Sequence, residues 1–210
     1  LPHLTTSLGT TLFGVIAIGF AIQQVVVSIC DYGFSILAPK LVAENTKNKK
    51  ILGKLLTSIT LIKTAFFIVV VVTTLATMHM LSVPSQYVEI WSAMLIAAFF
   101  QSLIPIWFFL GIQKMVNITL INIIERTLYT ALIFSLIATE LDVDLIPKIM
   151  IFSQGLAVIC SAMLVYRCNV HLSLPTLSFM KTLITQGWGY FYSRLTMLLF
   201  SKFNVILVGA

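Results

Sequence analysis

Long apolar runs alternate with short polar breaks along the whole chain. Five runs reach the roughly 20 residues that an α-helix needs to cross a hydrocarbon core. They are Leu12–Ala38, Leu52–Met80, Tyr87–Gly111, Asn117–Thr139 and Ile146–Arg167. A sixth opens near Thr182 and runs to Ala210. Leu1–Gly9 is too short to span and reads as the end of an earlier helix. The pattern predicts an all-α fold, a polytopic membrane helix bundle of long antiparallel helices with almost no strand.

The breaks set the orientation. "VAENTKNKK" with its flanks carries Lys40, Lys47, Lys49, Lys50 and Lys54; "IQKM" carries Lys114; "RCNVHLSLPTLSFMK" carries Arg167 and Lys181. The intervening breaks are "SVPSQ", which is neutral, and "ELDVDLIPK", with Glu140, Asp142 and Asp144 against Lys148. Cations therefore gather on alternate loops, and the positive-inside rule puts the 45–50 loop in the cytoplasm and the acidic 140–144 loop outside. The net charge of +6 is thus a topology signal. It forms no basic patch interleaved with aromatics, so no nucleic-acid partner is expected.

Composition agrees. Hydrophobic residues make up 59% of the chain and charged residues 10%, against about a quarter charged in soluble domains. The bilayer is the expected solvent and partner for most of this surface. The chain opens "LPHLTTSLG" without Met or a charged leader and closes "SKFNVILVGA" inside an apolar run, so it reads as a piece of a longer protein.

Motifs of covalent chemistry are missing. No Gly-x-Ser-x-Gly, Walker A or His-Glu-x-x-His pattern occurs, and Cys30, Cys160 and Cys168 have neither disulfide-framework nor zinc spacing. "GWGYFY" (187–192) lacks the third glycine of a dinucleotide loop. The reading is of a non-enzyme with no catalytic residue, metal or cofactor.

What remains is charge inside apolar runs, where ionisable side chains are costly and usually face a wet cavity or bundle interior. Lys63 lies nine residues beyond Lys54, roughly 13 Å deeper. Arg126, beside Glu125, shares a helical face with Asn122 and Thr130. Arg194 and Lys202 are eight residues apart, two turns along one face. Asp31 is either a proton-carrying acid or a structural partner for a buried cation such as Lys63 or Arg126. Against these four cations stand only Asp31 and Glu125, and a surplus of buried positive charge suits an anionic substrate. Pro105 removes the helical hydrogen bond to the Gln101 carbonyl, which predicts a bend between Gln101 and Trp107.

Four stretches resemble one family. "PIWFFLGIQKM" (105–115) is similar to the Pro-x-Trp…Gly…Met signature after the fourth span of polysaccharide repeat-unit flippases. "DYGFSILAPKLVAENTKNKK" (31–50), "LPHLTTSLGTTLFG" (1–14) and "QGWGYFYSR" (186–194) resemble their Asp-Tyr-Gly-Phe segment, the Leu-Gly…Gly turn into the second helix, and the start of the seventh. The four occur in family order across the whole chain; Gln113 departs from the Glu found in many members.

The resemblance is to the O-antigen flippases of the multidrug/oligosaccharidyl-lipid/polysaccharide exporter superfamily. It implies two six-helix lobes around a cavity. Residues 1–168 would be the first lobe with its first helix truncated, 169–181 a cytoplasmic inter-lobe connection, and 182–210 the first span of the second lobe. It also implies that the protein flips an undecaprenyl-diphosphate-linked oligosaccharide by alternating access across the bacterial inner membrane, beside other polysaccharide-assembly membrane proteins. Lys63, Arg126, Arg194 and Lys202 would bind the diphosphate in one shared cavity. Gln23, Gln24, Gln101, Trp107 and Gln154 would contact the glycan, Asp31 or Glu125 would serve coupling or structure, and Pro105 would be a hinge. A cation-coupled drug exporter of the same superfamily fits the surplus of buried cations less well. A membrane-embedded glycan polymerase or ligase would need a larger outside loop than "TELDVDLIP".

Overall fold

The computed structural model describes the backbone of residues 2–137, 142–170 and 172–209, with side chains for 12–137, 142–170, 172–194 and 196. Eight α-helices and no strand occur among them. They are α1 (Pro2–Asp31), α2 (Phe34–Glu44), α3 (Lys49–Met80), α4 (Ser85–Leu103), α5 (Ile106–Gly111), α6 (Met115–Leu136), α7 (Leu145–Tyr166) and α8 (Leu177–Gly209). Taken with their continuations, α1–α2, α3, α4–α5, α6 and α7 supply five segments long and apolar enough to cross a membrane. The chain is a multi-pass membrane protein.

Two expectations are corrected. Leu1–Gly9 does not end a separate helix before a turn; the backbone from Pro2 to Asp31 is one helix. Gly9 and Gly14 only weaken a helix, by about 1 kcal/mol each against Ala, and no proline interrupts the run. Conversely, the run Leu12–Ala38 is not one helix. Tyr32 and Gly33 both take left-handed backbone, φ 47° and 76°, and split it into α1 and α2.

At Pro105 the predicted bend is a full break. Ile104 is extended (φ −63°, ψ 117°) and Pro105 sits at φ −85°, ψ 56°. The Ile106 amide donates to the Ile104 carbonyl at 3.0 Å, which closes an inverse γ-turn centred on the proline. At the next residue, Ile106, α5 starts afresh.

Packing follows the run order. α1 lies against α4 and α3, α4 against α7, α7 against α6, and α2 against α5. Near the predicted outer end, Val15, Ile16, Met94, Ile133, Ile146 and Met150 form one core cluster. At the predicted cytoplasmic end, Phe34, Leu55, Ile59, Phe108 and Phe109 form another. Ile68, Val69 and Val72 stand exposed on α3, as expected of a surface whose solvent is lipid.

The 169–181 segment is anchored to α3. The Thr57 hydroxyl donates to the Ser173 carbonyl at 2.7 Å, and the Lys54 ammonium sits 4.6 Å from the centre of the Phe179 ring. Pro175 lies in the non-helical part, and α8 begins two residues later, five before the expected start.

Candidate functional site

Both helix breaks face the same place, and their loose backbone ends explain the chemistry found there. When α4 stops, Ile106 turns back to Ile104, so the Ser102 carbonyl loses its helical donor. The Lys63 ammonium supplies one instead, at 3.3 Å. When α2 starts, its first amides need acceptors. Asp31 lies one turn earlier, and its Oδ2 accepts from the Ser35 amide at 3.2 Å. Its Oδ1 takes the Lys63 ammonium at 3.0 Å. The charges match the helix ends: the carboxylate serves an N-terminus and the ammonium a C-terminus.

Lys63 is 5% exposed, so it neither snorkels nor stands free. Of the two partners left open for Asp31, the geometry selects Lys63. The pair is worth little as an attraction alone, but removing either member would strand the other in a dry site.

Arg194 reaches this cluster from α8. Its Nη1 donates to the Ser35 hydroxyl at 2.8 Å, and it pairs with no carboxylate among the described residues. α8 is brought close by Gly33, whose positive φ suits glycine. A Cβ there would also come within 2.8 Å of the Tyr190 Cβ and 2.9 Å of the Phe191 amide nitrogen. Tyr32 completes the dock. Its ring stacks between Phe66 and Phe191, with centroids at 4.8 and 4.7 Å, and its hydroxyl donates to the Ile184 carbonyl.

A cavity of about 330 Å³ opens over the two breaks, lined by Asp31, Ser35, Lys63, Gln101, Trp107 and Arg194 among others. Among the described residues, Lys63 uses two of its three donors on Asp31 and Ser102, while Arg194 has one hydrogen bond for five donors. Arg194 is therefore the cation with capacity to spare.

A second cavity, of about 210 Å³, adjoins it. Gln23, Gln24, Gln101, Glu125, Arg126, Ser153 and Gln154 line it, with Phe20, Tyr129 and Met150. Gln101 belongs to both cavities. Its Oε1 accepts from the Gln23 amide at 3.2 Å, so this pair forms the partition.

The four cations thus do not face one cavity. Lys63 and Arg194 share the first; Arg126 lies exposed at the second, beside Glu125; the side chain of Lys202 lies outside the described residues, as do Glu140 and His171. Of the amide and aromatic candidates, Gln23, Gln24, Gln101 and Gln154 converge, while Trp107 is buried in the first cavity. Sequence reasoning missed Ser35 and the Ser102 carbonyl. The signal for Ser35 was its spacing, four residues after an acid across a glycine. Ser102 is legible only once Pro105 is read as freeing carbonyls.

A family model described as "Polysaccharide biosynthesis protein" matches residues 1–210. The "Putative O-antigen transporter" of Escherichia coli (strain K12) is 25% identical over 214 residues, covering 99% of this chain and 50% of that protein. The chain spans about half the length of that relative. No solved structure matches the chain significantly.

Proposed function

The chain belongs to the polysaccharide biosynthesis protein family, and from that premise we propose that it is part of a flippase carrying a lipid-diphosphate-linked oligosaccharide across a bacterial inner membrane. The observation that carries this reading is Arg194: a guanidinium in a cavity at two helix breaks, bonded to a hydroxyl and, among the described residues, to no acid. A planar fork with free donors suits a diphosphate, which accepts two parallel hydrogen bonds from it. Lys63 adds a third donor from within its pair with Asp31.

The cavity holds two cations against one carboxylate, so it is net positive when empty and attracts an anion. Interrupted helices in membrane proteins are found where a cavity is lined, and residues flanking both breaks line this one, Asp31 and Ser35 at the first and Ser102, Ile104 and Ile106 at the second. In this reading Leu177–Gly209 begins a second lobe, and segment 169–181 is the link between the lobes. The family membership and the relative's printed name support transport of a glycan carrier; the cavity chemistry supports the anionic end of it.

The test is complementation of surface polysaccharide in a strain lacking its own flippase, using the full-length protein with membrane levels matched by blotting. Arg194→Ala is expected to lose at least tenfold in activity, and Arg194→Lys to be impaired. Full activity of Arg194→Ala removes the reading.

A further inference from the structure

The Pro105 break has a second side. Ser102, Ile104 and Ile106 line the cation cavity, while Leu103 and Pro105 line a different cavity, of about 350 Å³, between α3 and α7. Leu56 and Thr60 of α3, Val158 and Val165 of α7, and Leu172 of the 169–176 stretch form its walls. A further cavity of about 390 Å³ shares Leu56, Thr60 and Leu172 with it and extends past Thr57 and Leu61 to Pro175. The two make one groove, and no residue lines both that groove and the cation cavity.

The walls suit hydrocarbon. A broken helix bares backbone donors, but a proline nitrogen has no hydrogen to bare, and the Ile106 amide is already turned onto the Ile104 carbonyl. Two hydroxyls in the walls are likewise spent on backbone. Ser161 donates to the Val158 carbonyl at 2.8 Å and Thr57 to the Ser173 carbonyl at 2.7 Å. Along α7 the groove runs from Val158 to Tyr166, eight residues and roughly 12 Å, within one leaflet of a hydrocarbon core about 30 Å thick.

The mouth is cationic. Lys54, Thr57 and Leu61 recur at three- and four-residue spacing, so Lys54 stands one turn nearer the predicted cytoplasmic end on the face of α3 that lines the groove. Its ammonium sits 4.6 Å from the centre of the Phe179 ring and pairs with no carboxylate among the described residues. No Asp or Glu occurs between Glu44 and Glu89 or after Asp144, so α3, α7, α8 and the stretch between the last two carry cations and no acid. Leu172, Leu174 and Leu177 stand exposed beside this mouth, as on a segment lying in the membrane interface. An apolar groove under an unpaired cation fits an anionic lipid. The tail of a ligand held at Arg194 fits less well, because it would have to cross the Ile104–Pro105 segment that divides the two spaces.

We infer that the groove between α3 and α7 is a site for one anionic phospholipid of the cytoplasmic leaflet, with an acyl chain against Leu103 and Pro105 and the headgroup phosphate at Lys54. The site goes beyond the function proposed above and does not depend on it. Basic residues at the cytoplasmic edge of membrane helices select anionic headgroups. The bound chain packs on the proline that interrupts α4–α5, so lipid composition acts on that break from the side opposite the cation cavity.

The experiment is native mass spectrometry of the full-length protein, titrated in detergent with dioleoylphosphatidylglycerol or dioleoylphosphatidylcholine. One phosphatidylglycerol is expected to bind about tenfold more tightly than phosphatidylcholine, the worth of one charge-assisted contact. Lys54→Gln is expected to lower phosphatidylglycerol to the affinity of phosphatidylcholine and to leave the latter unchanged. Ala162→Trp, which adds bulk to the exposed α7 wall of the groove, is expected to weaken both lipids about tenfold or more. Lys148→Gln, at the other end of α7, and Arg194→Ala, in the cation cavity, are expected to change neither. Equal affinity of the unaltered protein for the two lipids overturns the site, as does indifference to Lys54→Gln or to Ala162→Trp. Loss of phosphatidylglycerol in Arg194→Ala would move the headgroup to the cation cavity and overturn it too. Tighter binding of undecaprenyl phosphate than of phosphatidylglycerol, abolished by Ala162→Trp, would give the groove to an isoprenoid tail instead.

Discussion

The interruption at Tyr32–Gly33 and the one at Ile104–Pro105 sit side by side and are built on opposite principles. The first turns through left-handed backbone and is finished by its own acid, since Asp31 caps the helix that follows it. The second turns through a proline and leaves a carbonyl that its own strand of sequence cannot satisfy; Lys63, on a third helix, does so. One break is locally complete and the other is held from a distance. The same lysine then binds the acid of the first, so each break is secured by the other's requirement.

The harshest way to break this arrangement is Gly33→Val. It places a β-branched residue at φ 76° with its Cβ against the backbone of α8. Strain and overpacking of about 1–3 kcal/mol each are expected to act together. The full-length protein should lose its cooperative melting transition in detergent, and an unchanged melting temperature would show that α8 does not dock there.

Lys63→Met comes next. It strands Asp31 and leaves the Ser102 carbonyl bare, at a cost of about 3–5 kcal/mol. Adding Asp31→Asn is expected to return part of that stability, because the stranded charge is gone. A double variant no more stable than Lys63→Met alone would mean that the pair does not link the breaks.

Arg194→Ala should separate function from fold. The loss expected is about 1.5–3 kcal/mol of ligand binding, for one charge-assisted contact. Melting of the unliganded protein should move far less than with Lys63→Met. Equal destabilisation by the two would make Arg194 another tie rather than a ligand.

Pro105→Ala is the gentlest. It returns an amide donor to Gln101 and removes the ring that fixes φ, for a stability change under about 1 kcal/mol. Transport in the complementation assay is expected to slow by more than the membrane level falls. Parallel losses of both would leave the break with a folding role only.

The two breaks were unequally legible in the sequence. Proline announces itself, and Pro105 marked its site, although a bend was expected where the γ-turn makes a full stop. Gly33 lay inside a continuous apolar run, and hydropathy does not register a left-handed residue, so the run read as one span. Depth along each helix was readable from residue counts, which is why the buried charges were found. The angle at which each charge leaves its helix, relative to neighbours not yet placed, was not. Hence Arg126 was grouped with Lys63 and Arg194 although it faces another cavity, and the partner of Asp31 stayed open across the 32 positions that separate it from Lys63. The glutamines met as a group because all four lie near mid-span, which residue counts do disclose.

Gly111 closes the predicted cytoplasmic end of this arrangement. With no side chain, it lets α5 press onto Val42 and the carbonyl of Pro39, where even a Cβ would come within 2.8 Å of that oxygen. Beyond the breaks, the two half-helices thus stand as one packed pair. Before the breaks, Lys63 ties the last turn of α1 to the last turn of α4.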